Sequence, residues 1–177
     1  NKIDKPILVG HSFGGQIAAK FALDFPKNLS RLVLVDCATK RNNSLSLKIN
    51  IFFAKIGRKI FGRSLRNYYY KLRGWENSDY LNAKDTPFLQ ETVGNIFREN
   101  LDSELNKIMI PTLIFWGNKD METPLENAQR INSLISKSQL VIANGGHFSY
   151  LDDQELFCKE LTKFIIEIPG QARNDKI

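Results

Sequence analysis

Residues 5–15 read KPILVGHSFGG, a short apolar run that leads into a serine held between glycines. A continuous apolar run of this length is typical of a parallel strand covered on both faces. The glycine-flanked turn that follows favours a sharp change of direction into a helix. The stretch therefore predicts a strand-to-helix unit with Ser12 at the turn, where its hydroxyl needs a partner from elsewhere in the chain.

Three more apolar runs of the same kind lie at residues 31–36, 111–116 and 139–143. After the first strand, apolar side chains recur at helical spacing, at Ile17, Phe21 and Phe25. A second helical pattern covers residues 152–166. Strands that alternate with helices predict an α/β fold, with a mostly parallel sheet and flanking helices.

The middle of the chain departs from this alternation. Between residues 40 and 74 there are ten Lys or Arg and no Asp or Glu, interleaved with apolar side chains at helical spacing. This pattern predicts an inserted helical cap whose apolar face covers a site. A weak contact with an anionic membrane surface and attraction of an anionic substrate stay open as alternatives. We expect no nucleic-acid partner, because no recognised motif accompanies the charge.

The predicted domain organisation has four segments: a first core part at 1–39, the cap at 40–105, a second core part at 106–168 and a disordered tail at 169–177. Cys37 and Cys158 lie far apart and outside any metal-ligand spacing, so we expect no disulfide, no metal and no cofactor. The apolar runs are too short for a membrane span, and the first residues lack a signal-peptide core. These features favour a cytoplasmic location.

Gly10-His11-Ser12-Phe13-Gly14 has the G-x-S-x-G spacing of a nucleophile elbow. A turn this sharp strains the backbone at the serine and crowds the residues two positions away. We therefore expect Gly10 and Gly14 to be glycines because side chains would clash there. The same turn should aim the Phe13 amide at a developing oxyanion near the helix N-terminus.

A serine hydroxyl is a poor nucleophile unless a base removes its proton. The chain has two histidines. His11 adjoins Ser12, and its side chain should leave the turn in another direction, so we expect His147 to be the base. Asp120, just past the third strand, is the candidate for orienting the imidazole, and Asp36, at the end of the second strand, is the alternative acid.

Three stretches together resemble the α/β-hydrolase superfamily, from its nucleophile elbow onward. They are KPILVGHSFGGQIAAKFALDFPKNLSRLVLVD, IPTLIFWGNKDMETP and NGGHFSYLDDQELFCKELTKFI, and they cover residues 5–38 and 106–167. The order serine, aspartate, histidine is that of this superfamily. The resemblance implies a serine hydrolase that cleaves an ester or related acyl bond of a small molecule through an acyl-enzyme. An acyltransferase with the same triad and a truncated, catalytically impaired fragment are the alternatives.

The resemblance also implies a partial α/β-hydrolase fold. The superfamily's strands before the elbow, and the loop that carries a second oxyanion amide, have no counterpart in these residues. The N-terminal half of the fold is therefore an expected partner. Without it, residues 6–10 should form an unpaired apolar edge of the sheet.

Overall fold

A computed structural model describes residues 4–37, 39 and 100–166 of the chain. The chain divides into two units, residues 1–40 with 100–177 and residues 41–99. Most of the predicted cap and the whole predicted tail lie outside the described residues, so the cap's helices, its membrane contact and the segment boundaries stay predictions. No helix in the described part is long and apolar enough to cross a membrane.

A four-stranded sheet forms the centre of the described unit. Its strands are β1 (Ile7–His11), β2 (Arg31–Val35), β3 (Thr112–Gly117) and β4 (Ser138–Ala143). They are hydrogen-bonded in the order β1-β2-β3-β4, and every pairing is parallel. The parallel sheet confirms the predicted fold class. Because all four strands run in one direction, their carboxyl ends share one edge, where loops from distant parts of the chain can meet.

In the described part of the chain, four α-helices accompany the sheet: α1 (Phe13–Asp24), α2 (Leu125–Leu134), α3 (Ser149–Asp152) and α4 (Gln154–Ile166). The first and last agree with the two helical patterns in the sequence to within two residues at either end. Helix α2 was not predicted from the sequence. Its fully buried side chains are Ala128 and Ile131, and Leu125 and Leu134 pack against the same core cluster. These four residues recur every three positions, a spacing that indicates an amphipathic helix, although every other side chain of α2 is polar.

The core consists of one apolar cluster on each face of the sheet. Trp116 of β3 belongs to the cluster that includes α1 and α2, and its neighbour Phe115 belongs to the cluster with Phe164 of α4. This alternation follows from the two-residue period of a strand. Leu101 and Leu105 are also buried in the first cluster. The first unit therefore contributes core residues from the start of its second segment, at residue 100.

The side chains that α1 buries against the core are not the large apolar ones from which the helix was predicted. Its buried apolar residues are small and lie at positions 15, 18, 19 and 22. Ile17, Phe21 and Phe25 are exposed instead. Small side chains let the helix lie close to the sheet, and an added Cβ at Gly15 would collide with Cys37.

Within the described residues β1 pairs with β2 alone and forms one edge of the sheet. Val9 on this strand is 49% exposed. The next element in the chain, α1, carries the exposed apolar side chains Ile17 and Phe21. An edge strand with apolar surroundings is a template for pairing with another chain. We therefore expect the 177-residue chain to self-associate, and Val9→Lys to shift it towards monomer in size-exclusion chromatography with light scattering.

The matched control for this experiment is Ile142→Lys on the opposite edge strand, where Ile142 is 47% exposed. This variant should leave the association unchanged. A monomeric unsubstituted chain, or an equal effect of the two lysines, would show that the β1 edge does not drive the association.

Candidate active site

The predicted elbow lies between the end of β1 and the start of α1. Ser12 has a φ of 52°, a left-handed conformation that is strained for a non-glycine residue. Its backbone N–H donates to the Val35 carbonyl over 2.9 Å, which anchors the turn to β2. The turn thus holds the Ser12 side chain at the carboxyl edge of the sheet.

The steric reason for the elbow glycines holds for only one of the two predicted positions. A Cβ added at Gly10 would collide with the Gly14 carbonyl. At Gly14, an added Cβ would meet no atom within 4 Å among the described residues, so our expectation of a clash there was wrong. The second crowded glycine of the elbow is Gly15, where an added Cβ would collide with Cys37, just past the end of β2.

The loop after β4 brings His147 to Ser12. The His147 Nε2 atom lies 2.8 Å from Ser12 Oγ, and its Nδ1 atom lies 2.9 Å from Asp120 Oδ2. An ionised carboxylate can only accept, so Nδ1 carries the proton that it donates to Asp120. Nε2 of the neutral ring is then the acceptor for the Ser12 hydroxyl. The structure therefore brings the three predicted side chains into one hydrogen-bonded line.

Asp120 is held in place by its own loop. Its Oδ1 accepts the backbone N–H groups of Glu122 and Thr123, over 2.8 and 2.9 Å, and its Oδ2 accepts the Thr123 hydroxyl over 2.6 Å. Burial by itself raises the pKa of Asp120, but the hydrogen bonds from His147 and Thr123 outweigh it and leave the pKa below its usual value. Thr123 was not among the site residues predicted from the sequence, although a hydroxyl three residues after an aspartate is a common partner for it.

The alternative acid, Asp36, is not hydrogen-bonded to the imidazole. Its carboxylate is fully buried and accepts from the Gly117 N–H over 2.9 Å, and from the N–H and hydroxyl of Ser149 over 3.0 and 2.6 Å. Its backbone is also strained, with a φ of 44°. Burial raises the pKa of Asp36, and the hydrogen bonds from Ser149 and Gly117 offset only part of the rise.

The charge around His147 favours its protonated form. Burial of the ring alone lowers the pKa of His147, but the hydrogen bond to Asp120 and the charges of Asp120, Glu122 and Asp36 together raise it above its usual value. Glu122, 37% exposed, brings Oε2 to 3.6 Å from Nε2 of the imidazole. The imidazole is therefore prepared to take up a proton at Nε2, the atom that faces Ser12.

His11 touches the loop that carries His147. A carbonyl can only accept, so His11 Nε2 donates to the His147 carbonyl, over 2.7 Å. The centroids of the two imidazole rings lie 5.1 Å apart. His11 was not expected to be the base, and no other role for it was predicted from the sequence. Its place at the end of β1, beside the other strand ends, is the signal that could have suggested a contact with the histidine loop.

Phe13 is the first residue of α1, so its amide lies at the positive end of the helix dipole beside Ser12. No group of three or more His, Cys, Asp or Glu residues that could hold a metal ion occurs among residues 4–37, 39 and 100–166. Cys37 is buried, and burial with the nearby charge of Asp36 raises the pKa of its thiol to about 12. A thiol with this pKa stays protonated near neutral pH.

The sequence and the fold of the chain are similar to those of known hydrolases. The chain is 27% identical over 190 residues to 2-hydroxy-6-oxo-2,4-heptadienoate hydrolase of Pseudomonas putida, covering 93% of the chain and 64% of that protein. It is 26% identical over 186 residues to pimeloyl-[acyl-carrier protein] methyl ester esterase of Wigglesworthia glossinidia brevipalpis, covering 91% and 70%. The fold matches that of a variant of CumD, a meta-cleavage product hydrolase of Pseudomonas fluorescens, with a TM-score of 0.63 and 21% identity over 94% of the chain and 66% of CumD.

The chain thus spans between 56% and 70% of the length of these and other curated relatives. A profile described as alpha/beta hydrolase fold matches residues 1–154, which is most of the chain. Together with the parallel sheet, this match confirms the resemblance inferred from the three sequence stretches. The chain belongs to the alpha/beta hydrolase-fold family.

Proposed function

We propose that this protein is a serine hydrolase that cleaves an ester or related acyl bond of a small molecule. The observation that carries the proposal is the continuous line of hydrogen bonds from Ser12 Oγ through His147 to the Asp120 carboxylate, 2.8 and 2.9 Å long. Each member then has one role: Ser12 is the nucleophile, His147 the general base and acid, and Asp120 the group that holds the imidazole.

In the first half of the proposed reaction, Ser12 Oγ attacks the acyl carbon while His147 Nε2 takes the hydroxyl proton. The carbonyl π bond opens and its electron pair goes to the carbonyl oxygen, which becomes an oxyanion. When the carbonyl re-forms, the bond to the leaving alcohol breaks, and Nε2 returns its proton to that oxygen. The products of this half are the free alcohol and an acyl ester on Ser12.

In the second half, His147 Nε2 takes a proton from a water molecule, whose oxygen attacks the acyl-enzyme. The bond from the acyl carbon to Ser12 Oγ then breaks, and Nε2 returns the proton to Oγ. The acid product leaves and the enzyme is restored. Throughout, the raised pKa of His147 favours the imidazolium of both intermediates, with Asp120 as its main stabilising partner.

The Phe13 amide is the proposed donor to the oxyanion, because it follows the nucleophile at the helix N-terminus. A second donor is proposed to come from the N-terminal half of the family's fold. Loss of one donor typically lowers the rate by about a hundred- to a thousandfold, so the second donor should contribute substantially to turnover.

The names of relatives support a broad substrate class, a compound with a cleavable acyl bond. One relative is named as a methyl ester esterase and another as a hydrolase of an oxo-heptadienoate. Both names are consistent with a nucleophilic serine acting at a carbonyl carbon. The two names share only a cleavable bond at a carbonyl carbon, since one of them names a substrate carried on an acyl-carrier protein. We extend this shared class to the chain. The small-molecule substrate and the cytoplasmic location are proposed from the sequence and not from these names.

Labelling by a fluorophosphonate probe tests the proposal directly, because the probe reacts covalently with an activated serine. We expect the probe to label the 177-residue chain and any longer natural form of it, with the adduct mapped to Ser12 by mass spectrometry. Ser12→Ala should abolish the labelling. The control Ser133→Ala removes an exposed hydroxyl on α2 and should label like the unsubstituted chain. Labelling that survives Ser12→Ala would refute the assignment of the nucleophile.

A further inference from the structure

The loop that carries His147 is tied down by side chains from two other strands. We define the histidine loop as residues 144–149, which connect β4 to α3 and include the first residue of α3. His11, at the end of β1, and Asp36, just past the end of β2, both form hydrogen bonds to it. Neither side chain is hydrogen-bonded to Asp120, so they form a second set of contacts behind the proposed triad.

His11 holds the loop at the catalytic residue itself. Its Nε2 donates to the His147 carbonyl over 2.7 Å, and its ring contacts Phe148 and Tyr150 with centroids 5.2 Å away in each case. This one hydrogen bond fixes the backbone from which the His147 side chain extends. Because His11 adjoins Ser12 in the elbow, it ties the nucleophile turn directly to the base.

Asp36 holds the loop two residues further on. Both polar groups of Ser149 donate to one carboxylate oxygen of Asp36, and the Gly117 N–H donates to the other. Gly117 ends β3, directly before the loop with Asp120. One buried carboxylate thus connects the loop of the proposed base to the loop of the proposed acid.

A fully buried carboxylate is costly unless each oxygen is hydrogen-bonded. Asp36 meets this condition only while Gly117 and Ser149 stay in their present positions. Displacement of either Gly117 or Ser149 would leave one oxygen of the carboxylate without a donor. The strained backbone of Asp36, with its φ of 44°, indicates that the surrounding contacts hold it firmly.

We propose that His11 and Asp36 are positioning residues: together they hold the histidine loop so that the His147 imidazole meets Ser12 and Asp120 at the same time. This inference rests on the proposed function of Ser12 and His147. Neither residue exchanges a proton with the substrate in this role. A shift of about 1 Å in a catalytic group can cost about a hundredfold in rate, so the contribution of the two contacts should be measurable.

Two near-isosteric substitutions test the proposal. His11→Phe keeps an aromatic ring and removes the donor to the His147 carbonyl. Asp36→Asn keeps the shape but turns an amide NH₂ towards N–H or O–H donors that need an acceptor. Each substitution should lower kcat/KM for p-nitrophenyl acetate by about ten- to a hundredfold, mainly through kcat, because the imidazole is misplaced and substrate binding is not directly altered.

A nuclear magnetic resonance readout separates positioning from simple loss of stability. The ring signals of His147 can be assigned directly in His11→Phe, because the chain has two histidines. In the unsubstituted chain we expect a far-downfield Nδ1 proton from the hydrogen bond to Asp120. Both substitutions should broaden or shift this signal in the folded protein. The control Ser138→Ala removes a hydroxyl at the opposite end of β4, and it should leave the signal and the activity of the folded fraction unchanged.

The possible outcomes distinguish this proposal from the proposed function. If fluorophosphonate fails to label Ser12, the proposed function fails, but the His147 signal still reports whether His11 and Asp36 position the imidazole. If both variants keep the unsubstituted Nδ1 signal, or lose activity only in proportion to their unfolded fraction, the positioning role is refuted.

Discussion

Replacing Ser12 with alanine should lower kcat for ester hydrolysis about a millionfold, the size of effect seen when a triad nucleophile is removed. The reason is that the remaining imidazole and carboxylate have no hydroxyl to activate, so the acyl-enzyme route is lost. What remains should be a small rate from oxyanion stabilisation and substrate binding. The measurement is steady-state hydrolysis of p-nitrophenyl acetate, with folding checked by circular dichroism.

A second substitution in the same line tests whether the residues act as one unit. His147→Ala alone should cost about as much as Ser12→Ala, and the double variant should be no slower than either single variant. Independent contributions would instead multiply. A double variant much slower than both single variants would therefore contradict the proposed shared mechanism, even if each substitution by itself were severe.

Asp120→Asn should lower kcat about ten-thousandfold, by analogy with triads in which the wrong histidine tautomer is stabilised. The backbone N–H groups of Glu122 and Thr123 both donate to Oδ1, so they should keep the remaining carbonyl oxygen of the asparagine in that position. The amide NH₂ then takes the place of Oδ2 and donates to His147 Nδ1. The ring proton moves to Nε2, which can no longer accept the hydrogen of Ser12.

The pH dependence of the same variant has a definite sign. Asp120 raises the pKa of His147, both by its hydrogen bond and by its charge. Activity requires the neutral imidazole, so kcat/KM falls as the pH decreases through this pKa. In Asp120→Asn the apparent pKa of the residual activity should therefore lie at lower pH than in the unsubstituted protein.

Asp36→Asn is the matched comparison, since it removes the other buried carboxylate near the imidazole. Its rate loss should be much smaller, at about ten- to a hundredfold, because the Asp36 oxygens contact Gly117 and Ser149 and leave the His147 tautomer unchanged. If Asp36→Asn were instead the more damaging of the two substitutions, the acid would lie after β2, as the alternative interpretation of the sequence allowed.

Much of the fold could be predicted because it is recorded in local patterns. The four apolar runs identified β1 to β4 to within one residue at each end. The elbow glycines and the helical spacing after them located α1. Helix α2 was missed although its four core-facing apolar side chains recur every three positions, because they are single apolar residues separated by polar ones. Burial of the small face of α1 was missed because the larger apolar side chains dominate its pattern.

The sequence by itself determined the parallel α/β architecture, the place of Ser12 at a strand-to-helix turn, and the order of the three candidate catalytic residues. These follow from side-chain periodicity and turn chemistry, which act between near neighbours in the chain. Only the tertiary structure decided which carboxylate meets the imidazole, and that His11 and Asp36 form hydrogen bonds to the histidine loop. His11 and His147 are 136 residues apart, and Asp36 and Ser149 are 113 apart. Their hydrogen bonds form because a parallel sheet brings its strand ends to one edge. The spacing of residues along the chain does not indicate which donor meets which acceptor at that edge.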